Sequence, residues 1–209
     1  MSQAPARSGA EIYLARHGRT AYNHERRFQG QLPVPLDDEG FAQAATLAEQ
    51  AAATASFRVL WCSPLLRARQ TAAIVADRLG LEPREDARLM ETDAGAWTDR
   101  TFVEVQAQAP DEFARFLALD PTFAFPGGES FADQARRVNA ALDEIVLGPT
   151  PALVVCHGVV IRLALSRHRP QQPPPRIANA ELVALDAGAT APAPAPSRHA
   201  PTADVPTSA

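Results

Sequence analysis

The chain has 209 residues, of which 46% are hydrophobic and 21% are charged, and its formal net charge is −4. This length allows one domain with a full hydrophobic core, and the acidic balance argues against nucleic acid as the main partner. No apolar run reaches the roughly 18 residues of a membrane span and no signal core lies near the start, so we expect a cytoplasmic protein without a membrane partner.

The sequence contains no lysine, so every basic side chain that is always charged is an arginine. This excludes a Schiff-base lysine, a pyridoxal-phosphate enzyme and a Walker A lysine. The histidines are scattered and no Cys-x-x-Cys or His-Glu-x-x-His spacing occurs, so we predict neither a metal site nor a cofactor. An anion would have to be held by arginine, histidine or backbone N–H groups.

Strand-like and helix-like segments alternate along the chain. We predict a strand at 11–15, a helix at 38–54 and a strand at 57–62, followed by a helix with Ser63 as its N-cap, Pro64 in its first turn and Gly80 as its end. A weak strand is predicted at 84–90, then one or two helices in 101–119 split at Pro110, and a helix from Ser130 to about 147. The last predicted elements are a strand at 152–156 followed by a helix, and a strand at 180–185. This alternation is typical of a layered α/β domain with a mainly parallel sheet.

The two ends of the chain differ in composition from the middle. Residues 1–9 are predicted to be a disordered arm, and residues 170–175 (PQQPPP) a stiff proline-rich connection. Residues 187–209 are Ala/Pro-rich and have almost no large apolar side chains, so they are predicted to be a disordered tail without a part in catalysis. One domain is therefore predicted at 10–186.

Polar and charged residues follow the predicted strands. Arg16 and His17 follow the first strand, Arg67 lies early in the helix after the second, Glu91 follows the weak strand and His157 follows the strongest. Each alone has a structural explanation, such as a hydrogen-bonding histidine or a solvated helix arginine. Because sites collect beyond the carboxyl ends of parallel strands, their joint placement predicts one site.

Four segments around these residues resemble the motifs of the histidine phosphatase superfamily, also called phosphoglycerate-mutase-like. They are LARHGRTAYNHERRFQG, CSPLLRARQTA, LMETDAGAW and VVCHGVVIRLAL, with PGGES at 126–130 as a further landmark. The resemblance covers roughly residues 11–186 in the right order. It implies a three-layer α/β/α sandwich whose mainly parallel sheet has one antiparallel strand.

The resemblance also implies roles for individual residues. His17 is the nucleophile that forms a phosphohistidine, because a neutral imidazole is not repelled by a phosphate dianion. Arg16 and Arg67 bind the phosphate oxygens as planar donor forks. Protonated His157 is expected to add a further cationic contact. The remaining expected phosphate or substrate contacts are Asn23, Gln29, Gly30 and Gly158, the last at a helix N-terminus.

Glu91 matches the acid that protonates the leaving group and then takes a proton from water. Asp93 is a second carboxylate nearby and is more readily explained as a loop residue. The arginines replace the Mg²⁺ of other phosphoryl-transfer enzymes, so no metal is expected. Cys62 and Cys156 end strands that the family's sheet order places side by side; reduced thiols are the default, and a disulfide is the alternative.

Three functions fit these motifs: a phosphomonoesterase, a phosphoglycerate mutase and an inactive binding module. The mutases have a long insertion, a lysine, a tyrosine after the acid and an asparagine after the second His-Gly, whereas this chain has Ala94 and Val159 at the last two positions. We therefore favour a phosphatase, and the complete set of motif residues argues against an inactive module. Leu32 and Thr98-Asp99 depart from the family pattern and leave the substrate open.

Among substrates, a small-molecule phosphate ester is favoured over phosphohistidine on a protein. The shortest protein-phosphohistidine phosphatases lack much of the middle region, which this chain has at 92–130. The phenylalanines of that region either form a hydrophobic wall over the site or simply pack a cap; they are Phe102, Phe113, Phe116, Phe123 and Phe125. The chain is expected to be a monomer or a homodimer.

Overall fold

The computed structural model describes residues 11–168 and 174–185. The predicted arm, the tail and most of the proline-rich connection lie outside these residues. The strands are β1 Ile12–Arg16, β2 Val59–Cys62, β3 Pro83–Glu85, β4 Ala152–Cys156 and β5 Leu182–Leu185. The helices are α1 Ala21–His24, α2 Asp38–Thr54, α3 Leu66–Leu79, α4 Phe102–Gln108, α5 Pro110–Ala118, α6 Phe131–Ile145 and α7 Gly158–His168.

The strands form one sheet in the order β3-β2-β4-β1-β5. All neighbouring pairs are parallel except β1 with β5, which is antiparallel. The side chains of β4 are buried along its whole length, as a central parallel strand covered on both faces requires. Helices α2 and α3 contribute to the core on one face, and α6 and α7 to the core on the other. The three-layer sandwich with one antiparallel strand is confirmed.

Two of the predicted local features are wrong. Helix α3 begins at Leu66 behind Leu65, which makes no side-chain cap, so Ser63 is not its N-cap. The weak strand pairs only over β3, and the chain then forms a 3₁₀ turn at Ala87–Leu89. The predicted bounds of α2 and the left-handed end of α3 at Gly80 are confirmed, as is the division of the 101–119 region at Pro110.

The two cysteines illustrate how strand register decides side-chain contacts. Strands β2 and β4 are neighbours, as the family's sheet order predicts. Cys62 nevertheless packs into the core on the α2/α3 face, whereas Cys156 packs into the core on the α6/α7 face. Because they lie on opposite faces of the sheet, both remain free thiols, and burial raises the pKa of Cys62 to about 11.

A third, aromatic core lies over the sheet edge and forms what we call the cap. Its buried rings are Phe28, Trp97, Phe113, Phe116, Phe123, Phe125 and Phe131, and Phe102 packs against them. Many ring pairs have centroids 4.4–6.4 Å apart with tilted or edge-on geometry, the arrangement that aromatic quadrupoles favour.

Among the helices of residues 11–168 and 174–185, none combines the length and the apolar character that a membrane span requires.

Gly18, directly after the predicted nucleophile, lies against the start of α2. A Cβ atom built on Gly18 would be 2.3 Å from the carbonyl oxygen of Gly40. The N-terminus of α2 is fixed by its Asp37 cap, whose carboxylate accepts the N–H of Gly40 at 2.7 Å. The loop that carries His17 is therefore held against α2 by a backbone contact that leaves no room for a side chain at position 18.

We expect Gly18→Ala to lower the free energy of unfolding by about 3 kcal/mol, since the new methyl group would overpack a rigid backbone contact. Urea unfolding measures this change. Gly148→Ala is the matched control: Gly148 is exposed and its added Cβ would meet only the carbonyl of Ile145 at 3.4 Å. Equal losses in the two variants would contradict the close-approach argument.

Candidate active site

A cavity of about 330 Å³ opens at the carboxyl ends of β1 and β4. Seven of the predicted site residues line it: Arg16, His17, Asn23, Gln29, Arg67, Glu91 and Gly158. The other two, His157 and Gly30, do not line the cavity but contact residues that do. The fully buried His157 packs beside His17, with ring centroids 5.2 Å apart, and the carbonyl of Gly30 accepts a hydrogen bond from Arg67.

His17 is buried, and its hydrogen bonds define its tautomer. The Nδ1–H group donates to the carbonyl oxygen of Gly18 at 2.7 Å; a carbonyl can only accept, so Nδ1 carries the proton. Nε2 therefore has the lone pair, and it accepts from Nε of Arg67 at 3.2 Å. Burial, followed by the charges of Arg67 and Arg16, holds the pKa of His17 well below its usual range. The imidazole is neutral at pH 7, with a nucleophilic nitrogen beside the arginines.

Arg67 connects the nucleophile to the loop after α1. Besides its bond to His17, it donates to the carbonyl oxygens of Leu32 at 3.1 Å and Gly30 at 2.9 Å. Three of the five guanidinium N–H groups are thereby used and two remain for an anion. Burial lowers the pKa of Arg67 to about 10, which leaves it charged at neutral pH. The backbone, not the side chain, of Leu32 makes the contact, so the departure at this position leaves the Arg67 contact intact.

Arg16 approaches from the end of β1. One terminal nitrogen donates to the carbonyl oxygen of Ile177 at 2.7 Å. Its Nε is buried and has no hydrogen-bond partner among the described residues. Burial lowers the pKa of Arg16, so this side chain also holds its positive charge at an energetic cost that an anion would offset.

Asn23 presents its amide nitrogen to the cavity because its oxygen is already engaged. The Oδ1 atom accepts from the backbone N and the hydroxyl of Thr20 at 3.2 and 3.1 Å, and from Nδ2 of Asn179 at 3.1 Å. The NH₂ group is the end left for an anion. Asn179 also donates to the carbonyl oxygen of His17 at 3.2 Å, which ties the segment before β5 to both His17 and Asn23.

Ser63 contacts the ring of His157. The Oγ atom of Ser63 accepts the N–H of Leu65 at 3.3 Å and lies 2.8 Å from Nε2 of His157. Nδ1 of His157 is buried and has no hydrogen-bond partner in the described part of the chain. Burial, then the charge of Arg67, holds the pKa of His157 well below its usual range. The expected protonated state therefore requires the charge of a phosphate dianion next to the ring.

Glu91 is held on the cavity wall by several donors. Its carboxylate accepts the backbone N–H of Thr92 at 3.0 Å, the amide of Gln134 at 3.3 Å and the N–H of Val159, at the start of α7, at 3.4 Å. Its nearest sequence alternative, Asp93, is exposed, and its side chain accepts the N–H of Gly95 within the loop. Of the two carboxylates, only Glu91 lines the cavity.

An ion pair holds the loop that carries Glu91. Arg137 makes two contacts with the Glu129 carboxylate, at 2.6 and 2.7 Å. The same guanidinium donates to the carbonyl oxygens of Arg88, Met90 and Glu91. Glu129, in the PGGES landmark, thus positions the Glu91 loop through Arg137.

Several of these supporting residues are not predicted by the sequence. Ser63 lies in a quoted motif whose local pattern indicates a helix cap, and Glu129 belongs to a landmark without a predicted role. Nothing in the local pattern marks Gln134, Arg137 or Asn179, because their roles arise from tertiary contacts. Within residues 11–168 and 174–185, no group of three or more His, Cys, Asp or Glu residues could hold a metal ion.

We expect the free energy of unfolding to decrease as the pH is lowered, and we attribute part of this decrease to the two buried histidines. Because their pKa values are lowered in the folded protein, the unfolded chain binds more protons below about pH 6.5, and the free energy of unfolding decreases as the pH drops through that value. Between pH 7.5 and 5.5, His157→Gln should lose about 1.4 kcal/mol less than the unsubstituted protein. Urea unfolding at both pH values tests this, with His24→Gln, at an exposed histidine, as control. An unchanged difference in His157→Gln would contradict a neutral buried His157.

Comparison with known proteins agrees with this geometry. The family model of the histidine phosphatase superfamily, branch 1, matches residues 12–192. The bifunctional protein Rv2228c of Mycobacterium tuberculosis is 37% identical over 74% of this chain, which spans only 43% of that relative's length. The probable phosphoglycerate mutase GpmB of Citrobacter koseri is 36% identical over 75% of this chain and 73% of its own length.

A solved structure has the same fold. The mycobacterial glucosyl-3-phosphoglycerate phosphatase Rv2419c is 32% identical, with a TM-score of 0.73 over 83% of this chain and 90% of that one. With a family model that matches most of its length and a phosphatase among its structural neighbours, the chain belongs to the histidine phosphatase superfamily.

Proposed function

We propose that the chain is a metal-independent phosphomonoesterase that hydrolyses a small-molecule phosphate ester through a phosphohistidine on His17. The observation that carries this proposal is the neutral His17, whose unprotonated Nε2 lies at the cavity wall between Arg16 and Arg67. The cavity volume of about 330 Å³ suits a small molecule. The free thiols of Cys62 and Cys156 suit a cytoplasmic protein.

In the first step, Nε2 of His17 forms a bond to phosphorus as the ester P–O bond breaks. The spare N–H groups of Arg16 and Arg67, with the amide of Asn23 and Nδ1–H of His157, stabilise the equatorial oxygens. Protonated Glu91 gives its proton to the leaving alkoxide. The alcohol departs, and the phosphoryl group stays on His17.

In the second step, ionised Glu91 takes a proton from water as the water oxygen attacks phosphorus. The P–N bond breaks, which returns neutral His17 and releases inorganic phosphate. Glu91 is again protonated, so the cycle closes without any other reactant. Fixed arginines supply the charge stabilisation that a bound Mg²⁺ gives in other phosphoryl transfers.

A mutase is the second candidate, favoured by the relative named probable phosphoglycerate mutase GpmB. In a mutase the phosphoryl group returns to the substrate instead of passing to water. Ala94 and Val159 line the cavity here, so two positions that bind the sugar acid in mutases offer no polar side chain. Incubation with 3-phosphoglycerate separates the candidates, because a phosphatase releases inorganic phosphate and a mutase forms 2-phosphoglycerate.

We expect His17→Ala to lower kcat by ~10⁴-fold or more, equivalent to about 5.5 kcal/mol of barrier, because the covalent route is removed. In the unsubstituted protein dialysed against EDTA, rapid quenching under alkaline conditions and peptide mapping should find the phosphoryl label on His17. His157→Ala should be slow but still labelled. A label on His157 or Cys62 would refute the assignment, and activity that needs added Mg²⁺ would refute metal independence.

We expect Glu91→Gln to slow alkyl phosphates far more than aryl phosphates with acidic leaving groups. The latter need little protonation as they depart, so loss of the acid costs them less. Asp93→Asn, a change at the exposed loop carboxylate, is the control and should affect both substrates equally. Steady-state kcat on the two substrates is the measurement. Equal losses in Glu91→Gln would show that Glu91 is not the general acid of the first step.

A further inference from the structure

The described arginines differ in their ion pairing. Eight arginines outside the cavity lining form ion pairs with carboxylates; they are Arg19, Arg69, Arg78, Arg88, Arg115, Arg136, Arg137 and Arg167. Arg58, Arg84 and Arg100, also outside the lining, have no ion pair among the described residues. The cavity holds the larger group of arginines without an ion pair. Among the described residues, no carboxylate lies within 4.0 Å of Arg16, Arg26, Arg67, Arg162 or Arg176, all of which line the cavity.

The charge on the cavity wall exceeds what one phosphate requires. Six arginines line the cavity, whereas Glu91 is its one carboxylate among the described residues, and only Arg27 is paired, with Glu25 at 3.0 Å. Arg16 and Arg67 balance the two charges of a phosphate dianion. This leaves Arg26, Arg162 and Arg176, which we call the outer arginines.

The outer arginines come from separate elements and meet at the cavity. Arg26 follows α1, Arg162 lies on α7, and Arg176 lies in the segment before β5. Arg162 donates to the carbonyl oxygen of Leu117 at 3.2 Å, while its buried Nε has no partner in the described ranges. Burial lowers the pKa of Arg162; the charge of Glu91 opposes this shift, and the charge of Arg176 adds to it, as expected for like charges near each other.

An apolar wall completes the same cavity. Its side chains are Phe28, Ala94, Phe102, Phe116, Leu117, Phe125 and Val159. Leu117 is 52% exposed although it is large and apolar, so part of this wall is open to solvent. A ligand that fills the space would place a carbon framework against these side chains and an acidic group against the outer arginines.

We infer that the outer arginines form a second anion subsite, so that preferred substrates are phosphate monoesters whose apolar framework carries a second acidic group, a carboxylate or another phosphate. The inference rests on the proposed phosphatase function for the placement of the first phosphate at Arg16 and Arg67. Guanidinium forks bind carboxylates and phosphates in the same two-point manner, so both groups belong to the one chemical class.

Binding of two matched phosphonates tests the subsite without any need for turnover. The pair is benzylphosphonate and 4-(carboxymethyl)benzylphosphonate, which differ by one carboxylate at the far end of the ring. We expect the carboxylated compound to bind at least about 10-fold more tightly by isothermal titration calorimetry, equivalent to about 1.4 kcal/mol. Equal dissociation constants would overturn the inference.

Variants identify the residues responsible. Arg162→Gln and Arg176→Gln should each reduce the preference several-fold, and the exposed position of Arg176 makes its variant safe for folding. Arg58→Gln is the control, because Arg58 is exposed and lies outside the cavity lining. This substitution removes the same charge as the other two. A preference retained in both outer-arginine variants, or lost equally in Arg58→Gln, would overturn the subsite.

The corresponding esters, phenyl phosphate and 4-(carboxymethyl)phenyl phosphate, separate this inference from the proposed function. Their leaving groups are nearly equal, so a higher kcat/KM for the second reports binding of the carboxylate. If the phosphonates differ in affinity but neither ester is hydrolysed, the subsite stands and the phosphatase proposal fails. If both esters are hydrolysed with equal kcat/KM and the phosphonates bind equally, the phosphatase stands and the subsite fails.

Discussion

The contact between Arg67 and His17 is the interaction on which the site depends. One buried guanidinium donates to Nε2 of His17 and to two carbonyl oxygens of the loop after α1. Through it, β1, α3 and that loop are fixed relative to one another. Burial is the larger cause of the low pKa of His17, and the charge of Arg67 lowers this pKa further, since a proton on the ring would add a second buried positive charge. The same contact therefore contributes to both the geometry and the protonation state of His17.

Burying positive charge is costly for the folded protein. Arg16 and Arg67 are both desolvated, with Glu91 as the carboxylate that partly offsets their charge. Buried polar atoms of Arg16 and His157 lack hydrogen-bond partners in the described part of the chain. Such groups are stabilised when an anion arrives, so part of the cost of folding returns as affinity for an anion. In the proposed reaction, the transition state gains most from donors that are already in place.

The sequence predicts the sheet, and the grouping of the candidate site residues at its edge, because both depend on local signals. The buried apolar run of β4 and the charged residues that follow β1 and β4 are contiguous in the chain. The supporting contacts are not: Ser63 meets His157 across 94 positions, and Arg137 reaches the carbonyl of Glu91 across 46. Ser63-Pro64 also satisfies the rule for a helix cap, so the local pattern indicates a cap. The contact of Ser63 with His157 depends instead on the position of β4 next to β2.

The same difference between local signals and tertiary contacts applies to the two ends of the cavity. Strand ends and a helix start hold Arg16, His17, Arg67 and His157, so the inner end of the cavity is determined by the sheet. The outer end is built from the cap, α5 and the segment before β5, whose residues meet only after folding. Arg162 depends on both kinds of signal, because α7 places it, while the carbonyl oxygen of Leu117 in α5 accepts a hydrogen bond from it. The outer end can therefore vary while the strand ends keep the inner residues in place.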